Sequence, residues 1–133
     1  MNIENIKFKA KHLDNGEWVF GDLLHSYENG AIIVPIGGGG AFNVDPSTVC
    51  QFTGLTDCEG NEIWEGDILQ STDGSSNRFL VFQNNFGAFF IRRESIESRR
   101  DVEKYDVYLF EISNTEYSIT RLKVVGNRFN KEE

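Results

Sequence analysis

Gln51-Phe52-Thr53-Gly54-Leu55-Thr56-Asp57-Cys58-Glu59-Gly60-Asn61-Glu62-Ile63-Trp64-Glu65-Gly66-Asp67-Ile68-Leu69 carries more local structural instruction than any other stretch of this chain. Asp57 to Asn61 is a polar turn in which Gly60 can take a positive φ at no steric cost. Ile63 and Trp64 begin an extended run, Glu65-Gly66-Asp67 kinks or turns it, and Ile68-Leu69 resumes it. A glycine between two acids inside such a run points to a bulge or a close backbone approach.

Upstream, Ile6, Phe8 and Ala10 alternate with Lys7 and Lys9, which predicts a half-buried strand over residues 3–10. Asp14-Asn15-Gly16 is a hairpin signal, with Glu17 to Phe20 as the returning strand. Trp18 reads as a core or interface anchor. Gly21-Asp22 then precedes Leu23-Leu24-His25. Ala31 to Ile36 is a β-branched run that Pro35 either ends or confines to an edge. Gly37 to Gly40 could expose amides to a phosphate, but no Gly-Lys-Ser/Thr, G-x-G-x-x-G spacing or helix start follows. A flexible hairpin tip is expected there. Asp45 to Val49 reads as a turn, or one short helical turn, entering the central stretch.

Downstream, residues 70–77 form a polar loop. Arg78 to Gln83 and Ala88 to Ile91 read as a hairpin turned by Asn84 to Gly87. It carries Phe79, Phe82, Phe86, Phe89 and Phe90, with phenylalanine on both faces. Such a hairpin is buried on both sides or belongs to a subunit interface. In residues 92–104 only Ile96 and Val102 are apolar, so a charged loop or short exposed helix is expected. Tyr105 to Ile112 and Ser118 to Val125 read as strands, Gly126-Asn127 closes the fold, and residues 130–133 fray.

The 39% hydrophobic and 13% aromatic content is enough for a core and excludes global disorder. A formal net charge of −8 repels the phosphate backbone. Direct nucleic-acid binding would therefore need a local basic patch. The pairs Arg92-Arg93 and Arg99-Arg100 each adjoin an acid, so no direct nucleic-acid contact is expected. A disulfide between Cys50 and Cys58 is not legible from their spacing. The polar N-terminus lacks a secretory signal's apolar region, and no apolar run approaches the roughly 18 residues of a membrane helix. The expectation is a cytoplasmic protein with reduced thiols and no membrane contact.

His12 and His25 lie far apart, with no Cys or second His at ligand spacing, and no serine sits in a nucleophile elbow. Glu62, Glu65 and Asp67 are the carboxylates that could hold a hard cation or act as an acid/base pair. On one strand, Glu65 and Asp67 would share a face about 7 Å apart. The preferred reading is structural: Asp57 forms an Asx-type turn, and Glu65-Gly66-Asp67 is held by side-chain-to-backbone bonds. No catalytic residue, metal or cofactor is assigned.

The central string is similar to the signature of the YopX-type proteins of phages and prophages, QFTGL-D-x-x-G-x-x-I-x-EGDI. Three shorter matches fall in the same order along the chain. Ile6 to Ala10 resembles that family's I-K-F-R-A-W, with Lys9 for the arginine and no following aromatic. Pro46, Thr48 and Val49 fit V-x-P-x-T-V, and Lys123 to Phe129 resembles E-V-I-G-N-I-Y. The resemblance touches residues 6–10, 46–69 and 123–129 and carries no catalytic role with it. Its structural motif maps onto Phe52, Gly54, Leu55, Asp57, Gly60, Ile63, Glu65, Gly66, Asp67, Ile68, Gly126 and Asn127.

The expected molecule is a single YopX-like domain over residues 1–133, mainly β and antiparallel. About eight short strands would roll into a barrel-like domain, or two small barrel-like lobes, with little helix and the Ile63–Leu69 strand at the centre. The expected role is that of a non-catalytic phage or prophage accessory protein. It would act through self-association and contacts with a host or phage protein. One alternative is a small divalent-metal-dependent hydrolase using Glu62, Glu65 and Asp67. The other is an acidic DNA mimic that occupies a host nucleic-acid enzyme.

Overall fold

The computed structural model describes residues 2–28, 30–72, 74, 77–93, 107–108 and 121–130. The chain divides into two compact units, Met1–Gly54 and Leu55–Glu133. Apart from short 3-10 turns, the regular structure among the described residues is all strand.

The first unit opens with a 3-10 turn, Ile3–Asn5, where alternation predicted strand. The Asn2 side chain accepts the Glu4 N–H at 3.2 Å, a local bond that competes with extended backbone. The strand begins later, at β1 (Phe8–Lys11). Its hairpin forms as the Asp14-Asn15-Gly16 signal indicated, with His12 N–H bonded to Glu17 O at 2.8 Å. The returning strand β2 (Trp18–Ser26) is longer than expected and runs straight through Gly21. Gly21 lies opposite Phe8, and a methyl group there would overlap the Val34 carbonyl oxygen. The glycine permits a close approach of strands and does not break one.

β3 (Gly30–Val34) ends just before Pro35, and the four glycines lie between it and β4 (Phe42–Asn43). Pro46–Thr48 forms a 3-10 turn capped by Asp45, whose carboxylate accepts the Ser47 N–H. β5 (Cys50–Thr56) follows and crosses into the second unit, where β6 (Glu62–Trp64) lies. The strand order is β4-β3-β2-β1-β5-β6. One face of this sheet buries Ala10, Ala31, Ile33 and Val44, with Phe8, Val19, Leu23 and Val49 packed against them.

The second unit holds β7 (Asp67–Ser71), β8 (Arg78–Gln83), β9 (Phe89–Arg93), β10 (Val107–Tyr108) and β11 (Leu122–Asn127). Their order is β10-β9-β8-β7-β11, with antiparallel pairing throughout. Its core is Ile63, Leu69, Phe79, Val81, Ile91 and Leu122. Fully burying each such aliphatic side chain contributes about 1.5–3 kcal/mol.

The structure corrects three further boundaries. Ile63 to Leu69 is not one central strand, because a turn at Glu65-Gly66 leaves β6 at the end of one sheet and starts β7 in the other. Arg92 and Arg93 belong to β9 and not to a charged loop or short helix. Asn130 closes a last 3-10 turn, Arg128–Asn130, where fraying was expected. Residues 94–106, 109–120 and 131–133, which carried the remaining loop, strand and tail expectations, lie outside the described residues. Neither sheet closes on itself among the described residues: β4 and β6 bound one, and β10 and β11 the other. The barrel-like β fold is realised as open antiparallel sheets.

Candidate functional site

Two aspartates from the central stretch converge on β11, each by a different device. Asp57 follows β5, and its Oδ1 accepts the N–H groups of Glu59 at 2.9 Å and Asn61 at 2.8 Å. That is an Asx turn, closed by Asp57 N–H to Asn61 O at 2.8 Å. Its Oδ2 accepts the Asn61 side-chain amide at 3.2 Å and the distant Val124 N–H at 2.8 Å. Cys58 N–H meanwhile donates to Leu122 O at 3.1 Å. Leu122 and Val124 lie two apart on β11, so their polar groups share one edge. The Asp57 turn therefore occupies that edge as a short surrogate strand, covering groups that would otherwise invite another chain.

Asp57 is buried, which pushes its carboxyl upward, but three backbone N–H groups and the Asn61 amide outweigh this. They hold it below its ordinary value of 3.8.

Asp67 closes the second device. Its Oδ2 accepts the Trp64 N–H at 2.7 Å, tying the two sides of the Glu65-Gly66 turn. Its Oδ1 accepts the Asn127 side-chain amide at 2.9 Å. Gly66, at φ +86, donates to Val81 O at 2.7 Å and accepts Arg128 N–H at 2.8 Å. Asn127 Oδ1 then accepts Phe129 N–H at 3.0 Å, which starts the final turn.

A bulge in β11 makes this fit. Leu69 pairs with Val124 but Ile68 pairs with Gly126, leaving Val125 as the extra residue. Every later residue is advanced by one, so Asn127 and not Gly126 stands opposite Asp67.

The remaining motif residues are placed as follows. Phe52 is buried in β5, and Gly54 and Leu55 continue that strand, with Leu55 packed on the second core. Gly60 takes φ +83 in the Asx turn, and Ile63 and Ile68 are buried. Glu62 is exposed, Glu65 is half-buried and Asp67 is buried. Among the described residues no group of three or more His, Cys, Asp or Glu is arranged to hold a metal ion. His12 Nδ1 accepts the Asp14 N–H at 3.0 Å within the first hairpin, and His25 is exposed. Cys50 donates its thiol to Thr48 O at 3.3 Å, Cys58 is exposed, and neither is in a disulfide.

The phenylalanine hairpin splits by face. Phe79 and Phe89 join the core side, while Phe82 and Phe90 stack on the other at 5.5 Å between centroids. The Arg92 guanidinium lies 4.4 Å from the Phe82 ring centre, and Phe86 at the turn is 94% exposed.

A family model described as YopX protein matches residues 7–132. The chain belongs to the YopX protein family. No curated protein matches it. The YopX match runs through residues 70–122, which showed no family resemblance in sequence, and it spans both compact units. Sequence reading also missed the Val124 amide and the Val125 bulge. In this YopX chain the one local signal for them was Gly126 within an apolar run. No helix among the described residues is long and apolar enough to cross a membrane.

Proposed function

We propose that this YopX protein is a non-catalytic, phage-type accessory protein that works through protein contacts and self-association. The observation that carries this reading is the β8–β9 hairpin, which holds Phe86 almost fully in solvent beside the half-buried Phe82–Phe90 stack. Aromatic side chains bring large apolar area to an interface at low entropic cost, and arginine on a ring is a frequent companion. The use made of Asp57 and Asp67 supports the same reading, since their oxygens accept from backbone and amide donors that the fold needs.

Light scattering on the full chain, with and without millimolar Mg²⁺, tests this. An oligomer whose mass is the same in both conditions, and which falls in Phe86→Ser, is expected. A monomer at all concentrations, or assembly only with the cation, would overturn it.

A further inference from the structure

The second face of the first sheet carries a different chemistry from its core face. Lys9 and Lys11 on β1 stand opposite Phe20 and Trp18 on β2, so all four side chains share that face. Lys7 precedes β1, and its carbonyl accepts Phe52 N–H at 3.0 Å. The Lys9 Nζ lies 4.5 Å from the Trp18 ring centre and 5.9 Å from that of Phe20. Lys11 Nζ lies 5.2 Å from Trp18, and Lys7 Nζ lies 4.7 Å from Phe52. No acidic residue falls between Ile6 and Leu13, in a chain whose net charge is −8. This is a local basic patch of the kind that the overall charge alone would not reveal.

The face is closed toward β5, where Cys50 and Phe52 are buried, and open along β2, where Phe20 is 50% and Leu24 53% exposed. Lys9 is 8% exposed, and its ammonium serves to hold the two rings. Lys7 and Lys11 are half-buried and flank it. Asp22 is the carboxylate that shares this face on β2.

We propose that this face binds a single strand of nucleic acid, with bases stacked on Phe20 and Trp18 and phosphates drawn to Lys7 and Lys11. Side chains two apart on a strand are about 7 Å apart. That is roughly twice the ~3.4 Å rise per nucleotide of a duplex strand, so only an unstacked, extended strand can follow both rows. Aromatic rings beside a row of cations are the general means of holding such a strand without reading its sequence. Phosphate oxygens would compete with the ring faces for the Lys7 and Lys11 ammonium groups, and a charge-assisted contact to phosphate is the stronger of the two.

Titration of the full chain with oligothymidylate, followed by tryptophan fluorescence, is the test. Trp64 is 4% exposed, so quenching reports Trp18. Salt-sensitive binding is expected. Phe20→Leu, which keeps apolar bulk but removes the ring, is expected to weaken it roughly tenfold. Lys7→Gln and Lys11→Gln are each expected to flatten the log–log salt slope by about 0.7. Lys123→Gln, an equal charge change on β11, should leave the slope unaltered. Absence of binding, equal quenching by polyglutamate, or an equal effect of Lys123→Gln would overturn the proposal. Phe20 is not part of the β8–β9 hairpin, so Phe20→Leu is expected to leave solution mass unchanged, and the two readings can fail separately.

Discussion

Asp57 shows how one carboxylate can serve a turn and a distant strand together. Two of its bonds are local, to Glu59 and Asn61, and one reaches Val124 at a separation of 67 residues. Removing a buried acceptor leaves its donors unsatisfied, at about 1–3 kcal/mol each. Asp57→Ala is therefore expected to lower unfolding free energy by about 2–4 kcal/mol in urea titrations. The carboxyl is held below its ordinary 3.8, so it binds fewer protons folded than unfolded. Its stabilisation is complete above the ordinary value and is lost as pH falls through the lower folded value. The acid limb of stability below about pH 4 should accordingly be shallower in Asp57→Ala than in the parent. An unchanged limb would remove Asp57 from that role. Gly66 poses a sharper steric demand: at φ +86, an added Cβ would sit 3.3 Å from Asn127 Nδ2 and 3.4 Å from Arg128 Nε. Gly66→Ala is expected to cost about 1–3 kcal/mol by thermal or urea unfolding.

At the scale of elements, β11 joins β7 to the Asp57 turn. It pairs with β7 along one edge and meets the Asp57 turn along the other, and its bulge sets Asn127 against Asp67. Inserting an alanine between Gly126 and Asn127 would bring the alanine opposite Asp67 and leave the carboxylate without the Asn127 amide. Because a one-residue slip moves side chains to the opposite face, loss of the second unit's dispersed amide signals in NMR is expected. Val125→Ser keeps the residue count at a position 40% exposed and should retain the dispersed spectrum. Equal spectra for both variants would count against the bulge as the register device. The turns on either side of this arrangement were legible beforehand, because Asp14-Asn15-Gly16, Asp57 to Asn61 and Glu65-Gly66 have local causes. The bulge was not, since it is a relation between β11 and β7 and exists in neither strand alone.

At the scale of the molecule, the described residues build two cores, one around Ile33 and Val44 and one around Leu69 and Val81. The exposed Phe86 and the half-buried Phe82 and Phe90 belong to the second unit, and the lysine–aromatic face belongs to the first. Self-association is thus expected to respond to Phe86→Ser and not to Phe20→Leu, as read by solution mass. The β class, the abundance of turns and the antiparallel pairing followed from alternation and from glycine, asparagine and aspartate placement. The grouping of the described strands into two sheets followed from pairings that alternation cannot specify.

The amino-acid sequence by itself determined the period-two strands, the positive-φ turn at Gly60, the kink at Glu65-Gly66-Asp67, the aspartates able to close them, and family membership through the QFTGL to EGDI string. These are local properties, set by each residue's allowed backbone angles and its nearest neighbours. Only the tertiary structure decided that Asp57 reaches Val124, that Asp67 meets Asn127 across a bulge, and that Lys9 and Lys11 stand against Trp18 on a single face. Each of those joins residues from separate strands. Their register is fixed by burial of a whole face, which no short window of sequence contains.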